Sequence, residues 1–458
     1  MAEESITLSF DAGTLVLEDG TLDALRECPH VLHDKRTGSF RAEGRHYRAI
    51  VEHLRANKIA YVDNARAWQE TPWTLTSTRT PYPHQTEAVA TWWKQRGRGV
   101  VVLPTGTGKT FVAMLAIQKT ARPSLVVTPT IDLLNQWHGE LSQGFGTPIG
   151  MIGGGSYDLQ PLTVTTYDSA YIHLDRWGHR YGLLIFDECH HLPGPTYGMA
   201  AVGSLAPFRM GLTATPERAD GLEHMYPELI GPIVYRREIK ELSGDFLAGY
   251  TTQTVFVHLT EDEQSRYEAA RRQYKEFVAS SGISMSGPKG WQNFIFQASR
   301  SKEGWAALKA FYESKRLERA AGSKLVKLDE LLTTHSRDRI IVFTADNATV
   351  YQIARRFLVP AITHQTKAKE RKQILERFHS GEYTVVVTSQ VLNEGVDVPA
   401  ANVGIVLSGT STIRENVQRL GRLLRKKADK QAILYEVVAR GTAEEFSSER
   451  RRQHHAFQ

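Results

Sequence analysis

The chain has 458 residues, 41% hydrophobic and 23% charged, with 56 Lys or Arg against 50 Asp or Glu and a formal net charge of +6. At roughly 150 residues per domain it has room for about three domains. Two cysteines exclude a disulfide framework and suit a reducing compartment. No apolar run approaches the roughly 20 residues that span a bilayer. The opening "MAEESITLSF" lacks the basic-then-apolar pattern of a leader. These readings point to a cytoplasmic protein with no membrane attachment. A basic balance is compatible with a polyanionic partner, although many basic proteins bind none.

Residues 1 to about 75 alternate in "SITLSFDAGTLVLED" like strands and end in the helical "YRAIVEHLRANK". They predict a small α+β module. The Thr- and Pro-rich "WQETPWTLTSTRTPYPHQ" reads as a linker. From 80 to 236, strands near 99–103, 124–128, 162–165, 182–187 and 208–213 alternate with helical patterns. That alternation predicts a doubly wound parallel sheet. A second region, 237–458, repeats the theme with strands near 251–259, 339–344, 383–388, 403–407 and 433–438. A helical insertion at 262–320 interrupts it. "LTEDEQSRYEAARRQYKEFVASSG" opens with a capping box, Thr260 with Glu263, and ends at Gly282. Tyr267, Ala270, Tyr274 and Phe277 form one apolar stripe. A second pattern carries Trp305, Leu308, Phe311, Tyr312 and Leu317. Such stripes pack helices more often than they stack bases, so both are assigned to packing.

Chemistry concentrates in three stretches. "GVVVLPTGTGKTFVAMLAIQK" reads as strand, glycine-rich turn and helix, the context of a phosphate cradle. In the cradle Thr105, Gly106, Thr107 and Gly108 wrap the phosphates, Lys109 reaches the β- and γ-phosphates, and Thr110 can ligate Mg²⁺. The strict pattern places glycine where this chain has Leu103. "LLIFDECHH", 183–191, is a buried strand ending in carboxylates, a thiol and imidazoles. Three adjacent residues cannot easily converge on one zinc ion, so a zinc site is set aside. Asp187 is placed to hold Mg²⁺, directly or through water, and Glu188 to orient and activate the attacking water. The third stretch, "ENVQRLGRLLRKK", spaces Gln418, Arg419, Arg422 and Arg425 at helical intervals. Arg422 and Arg425 can reach a γ-phosphate as arginine fingers do; the alternative is a solvated basic helix. "VVVTSQVLNEGVDVPAANVGIVLSG" precedes it and adds Gly395 and Asp397 to the nucleotide-facing set.

Eight ordered elements carry a resemblance. They are "LPTGTGKT" (103–110), "TPTIDLLNQW" (128–137), "TVTTYDSAY" (163–171), "DECHH" (187–191), "GLTATPER" (211–218), "IIVFT" (340–344), "SQVLNEGVDVP" (389–399) and "QRLGRLLR" (418–425). Together they resemble a superfamily-two helicase of the DExH type, and more closely the XPB helicases in their short archaeal and bacterial form. The resemblance implies an α/β fold of two RecA-like motor lobes, a small N-terminal module that senses distorted DNA, and a thumb-like insertion that grips DNA. For that module, a plain packing role against the first lobe is equally open. The resemblance implies ATP and Mg²⁺ as cofactors and 3′–5′ movement on single-stranded, forked or distorted duplex DNA, in excision repair or transcription. It also implies that Gln85 reads adenine, with Tyr82 standing where arginine is usual. His190 and Gln418 would couple the lobes, and Thr213 and Thr215 would link hydrolysis to DNA movement. An Arg-Glu-Asp triplet tied to unwinding in the family is here Arg218, Ala219 and Asp220. The central carboxylate is lost, which puts autonomous strand separation in doubt. A nuclease partner is expected from the same resemblance. The alternative is the motor subunit of a restriction or phage-defence system, which shares these motifs.

Overall fold

The computed structural model describes residues 5–218, 220–242, 249–285, 289–389, 401–408 and 431–452. The chain divides into two compact units, Met1–Glu238 and Ile239–Gln458. Gly395, Asp397, Gln418, Arg422 and Arg425 lie outside the described residues.

The first unit begins with a five-stranded sheet of β1 (Ile6–Asp11), β2 (Thr14–Glu18), β3 (Leu32–Asp34), β4 (Ser39–Glu43) and β5 (Tyr61–Asp63) in the order β3-β4-β2-β1-β5. The pairs are antiparallel except β1 with β5. The helix Tyr47–Ala56 lays Tyr47, Ile50, Val51 and Leu54 on the sheet, one stripe at three- and four-residue spacing. Leu205, from the adjoining large sheet's connections, completes this core. Arg48 reaches the carbonyls of Arg96 and Pro207, and its guanidinium lies over the Phe208 ring. The stretch read as a linker is strapped along the large sheet's surroundings. Ala67 N donates to His179 O, Thr71 N to Ala121 O, the Trp73 indole to Arg122 O and Thr76 N to Gly144 O. Its Thr and Pro content suppresses helix and ladder, but these backbone bonds and buried Trp68 hold it in place.

The large sheet contains β6 (Arg98–Val102), β7 (Ser124–Thr128), β8 (Gly150–Gly153), β9 (Ser156–Asp158), β10 (Leu162–Thr166), β11 (Leu183–Asp187), β12 (Phe208–Thr213) and β13 (Ile233–Arg236). The order is β13-β6-β12-β11-β7-β10-β8-β9, parallel except the β8–β9 hairpin. Every residue of β7, β10 and β11 is buried, as parallel strands covered on both faces require. β12 lies between β6 and β11, pairing Thr213 with Val102 and Leu212 with Asp187. The carboxyl ends of three neighbouring strands therefore open at one edge, where ligands of open α/β sheets bind.

The second unit holds β14 (Gly249–Val257), β15 (Ile340–Phe343), β16 (Ala361–Ile362), β17 (Val385–Thr388), β18 (Val403–Val406) and β19 (Gln431–Ala439), ordered β14-β19-β18-β15-β17-β16 and parallel throughout the described pairs. Helices Glu261–Ser280, Gly290–Ala298 and Lys302–Ala320 form the insertion. The capping box of Thr260 and Glu263 is present, and Gly282 follows the helix with φ +62°. Tyr267, Ala270 and Tyr274 are buried.

The second stripe packs through Leu308, Phe311 and Leu317 and is corrected at Trp305 and Tyr312. Trp305 and Tyr312 are 53% and 55% exposed. The buried face of their helix runs instead through Gly304, Ala307, Ala310, Ser314 and Leu317. At about 100° per residue, Trp305 and Tyr312 fall roughly a quarter-turn or more from that face. Small residues let the helix approach its neighbour closely; a Cβ on Gly304 would lie 2.4 Å from Ala298 O. Phe294, fully buried on the unanticipated middle helix, supplies the centre of the cluster with Tyr274, Phe311 and Trp291 around it.

Candidate nucleotide site

The loop 103–108 leaves β6 and runs into the helix Lys109–Thr120. Gly106 and Gly108 have φ of +87° and +83°, the left-handed region that favours glycine. At Gly108 a Cβ would also meet Gln85 Nε2 at 2.3 Å, so any side chain there would displace the Gln85 amide. Thr107 is buried and donates its hydroxyl to Pro104 O at 2.7 Å. Thr105 and Thr110 are partly exposed. Gln85, buried on the helix Pro83–Lys94, donates to Thr107 O at 3.0 Å and accepts from Tyr82 N at 2.9 Å. His84 adds a second bond to Thr107 O at 3.0 Å. Gln85 thus braces the loop itself, and its Oε1, which accepts from Tyr82 N, has a second lone pair for a further donor.

Lys109 Nζ donates to Leu103 O at 3.3 Å and stands 3.8 Å from Glu188 Oε1. The ammonium therefore lies between the cradle and the end of β11. Asp187 there is buried, and each of its acceptors is engaged. Oδ2 accepts from the Trp137 indole at 2.7 Å, Oδ1 from Glu188 N at 3.0 Å, and the main-chain carbonyl from the Tyr167 hydroxyl at 3.0 Å. Burial first and the Glu188 charge second push the Asp187 carboxyl up, against the pull of Lys109 and Trp137. Glu188 takes φ +46°, a left-handed conformation that costs a non-glycine residue about 1–3 kcal/mol. The turn ends strand alternation at that point, and Lys109 lies beside the Glu188 carboxylate as the cradle does beside Asp187. Glu188 Oε2 is buried without a hydrogen-bond partner, although His190 Nδ1 lies 3.5 Å away. Such an acceptor suits a water or hydroxyl donor.

His190 is buried, with Nδ1 3.1 Å from the Thr213 hydroxyl. That hydroxyl donates to Thr215 O at 3.1 Å and accepts from Thr215 N at 3.2 Å. Its single proton is spent, so His190 Nδ1 must be the donor. Arg218 donates to His190 O and grips Asp220 with two bonds of 2.8 and 2.6 Å. Arg218 holds the Asp220 carboxyl down at about 2. The two residues read as duplex-opening candidates are thus joined to each other and to the DExH loop. Cys189 packs in the apolar cluster under the sheet, with its thiol pushed up by burial. Trp137 and Tyr167 were not singled out by sequence reasoning. Both lie inside quoted motif stretches, "TPTIDLLNQW" and "TVTTYDSAY", and a polar aromatic on a buried helix face was the available signal.

Two parallel-sheet lobes, a phosphate cradle and a DExH strand end define a nucleotide-driven helicase motor. Residues 78–218 match the type III restriction enzyme res subunit family, 323–427 the helicase conserved C-terminal domain, and 8–65 the xeroderma pigmentosum group B helicase damage recognition domain. The DNA 3′-5′ translocase XPB2 of Sulfurisphaera tokodaii is 44% identical over 81% of this chain and 84% of its own length. The DNA 3′-5′ helicase XPB of Mycobacterium tuberculosis is 30% identical over 78% of this chain and 60% of its own. The Hef helicase domain of Pyrococcus furiosus shares the fold, with a TM-score of 0.56, 21% identity, and coverage of 81% of this chain and 98% of that one. The chain belongs to the XPB helicase family and is an ATP-dependent helicase.

Proposed function

We propose that the chain couples ATP hydrolysis to 3′–5′ translocation along DNA, in repair or transcription. The single observation that carries this reading is the continuous polar path from Lys109 through Glu188, His190, Thr213 and Thr215, with Arg218 tied to the same loop. A γ-phosphate arriving beside Lys109 competes with Glu188 for its charge. Glu188, released, accepts from the attacking water with the oxygen that lacks a partner. His190 and Thr213 pass the rearrangement to Thr215 and the 213–220 segment. Thr110 and Asp187 fit Mg²⁺ as hard oxygen donors, and the ion would neutralise charge on the phosphates. Arg422 and Arg425 of the second unit, with Gln418, Gly395 and Asp397, are proposed to complete the nucleotide site.

The match to a damage recognition domain at residues 8–65 supports DNA, distorted duplex included, as partner, and weighs against a restriction motor. No long apolar helix able to cross a membrane occurs among the described residues. We assign the protein to the cytoplasm of a prokaryote, with a nuclease as working partner. Ala219 in place of the family's glutamate favours translocation over autonomous strand separation. The test is displacement of streptavidin from biotin at either end of an oligonucleotide. ATP should accelerate release from the 5′ end only. Equal or absent acceleration would contradict the directional motor.

A further inference from the structure

We propose that Trp137 is a positioning residue for the nucleotide reaction, which fixes the carboxylate of Asp187 in its metal-holding orientation. The proposal rests on the reading of Asp187 as a Mg²⁺ ligand. Trp137 sits on the helix Ile131–Phe145, capped by the Thr130 hydroxyl, and is 2% exposed. Its indole N–H donates to Asp187 Oδ2 at 2.7 Å.

Two separate helices and the main chain of the next residue meet on Asp187. Glu188 N takes Oδ1 and the Tyr167 hydroxyl, from the helix Tyr167–Trp177, takes the main-chain carbonyl. The main chain is therefore held by Tyr167, while the side-chain torsion is held by Glu188 N on one oxygen and by Trp137, from a different helix, on the other. Each carboxylate oxygen has one protein donor and keeps lone-pair capacity for a cation. A tryptophan that aims its only polar atom at a buried carboxylate satisfies both groups at once. It also ties the position of the 131–145 helix to the geometry of the metal ligand, because a shift of that helix lengthens the bond to Oδ2.

Hydrogen-bond partners of metal ligands typically contribute about 10- to 100-fold to metal affinity. The experiment uses the full chain with a fluorescent methylanthraniloyl derivative of a non-hydrolysable ATP analogue, titrated at increasing Mg²⁺. For Trp137→Phe the half-saturating Mg²⁺ should rise about tenfold, while nucleotide affinity without Mg²⁺ stays at the wild-type value. Benzothienylalanine at 137, the sulfur isostere of tryptophan, removes only the N–H and should give the same shift with packing intact. A wild-type Mg²⁺ dependence in the isostere, with Asp187→Asn losing that dependence, overturns the proposal and leaves the site reading standing. A wild-type dependence in Asp187→Asn itself overturns the ligand reading, and the role of Trp137 with it.

Discussion

The nucleotide site of the first unit and the helical insertion of the second bury comparable chemistry for opposite ends. At the site, buried groups are polar and engaged in a network that ends on an unsatisfied oxygen of Glu188. In the insertion, the buried groups are apolar or fully paired. Tyr267 gives its hydroxyl to Glu318 at 3.1 Å and accepts from Ala443 N at 2.9 Å, and Lys315 pairs with Glu318 at 2.6 Å. A network with a spare acceptor is poised for a ligand; one that is closed only holds helices together. The aromatics of the insertion divide the same way. Phe294 and Tyr274 make its core, while Trp305 and Tyr312 face outward.

The comparison can be broken at several points. Arg425, proposed as an arginine finger, should carry the largest effect. Such a group contributes about 10³–10⁵ in rate, or roughly 4–7 kcal/mol of barrier. Arg425→Ala should lose at least about tenfold in DNA-stimulated ATP turnover with an unchanged melting temperature. Near-normal turnover would return Arg425 to a solvated basic helix. Next, Phe294→Ala should destabilise the second unit by about 3–5 kcal/mol, read by denaturant unfolding. A neutral result would remove Phe294 from the core of the insertion. The smallest effect belongs to Trp305→Ala, which should stay within about 0.5 kcal/mol of wild-type stability. If Trp305 stacks on bases, the same change should weaken single-stranded DNA binding by about 1–3 kcal/mol. A drop in stability instead would restore it to the packing stripe.

Removing residues 262–320 as a block is a poorer test than their sequence suggests. Excision takes away the Tyr267 hydroxyl that accepts from Ala443 N and the Arg319 guanidinium that pairs with Asp346 at 3.1 Å. Both partners belong to the parallel-sheet body, so a loss of DNA affinity would mix with a loss of stability. Point changes at Trp305 and Phe294 keep the two apart.

Strands of the first unit were legible because parallel strands buried on both faces read as continuous apolar runs, as in "GVVVL" and "LLIFD". The cradle was legible because its glycines and Lys-Thr are constrained by phosphate geometry. The face of the helix 302–320 was not, because aromatic residues dominate the eye while Gly304, Ala307 and Ala310 carry the contact. The role of Trp137 was not, because it lies on a helix and its partner Asp187 ends a strand 50 residues further on, and such a bond leaves no spacing signal. Arg218 reads as a charge next to Asp220; that it also reaches His190 O depends on the close approach of β12 to the DExH loop. The positions 395, 397, 418, 422 and 425 remain assignments from motif order.

The central claim is that Lys109 binds the phosphates and Glu188 acts on the water. The most direct measurement compares ATP affinity and turnover in Lys109→Ala and Glu188→Gln. Both should lose turnover, about 10²–10⁴-fold for the loss of a general base at Glu188. Only Glu188→Gln should still bind ATP tightly, since the lysine supplies binding charge and the glutamate does not. Equal nucleotide affinity in the two variants would contradict the division of roles.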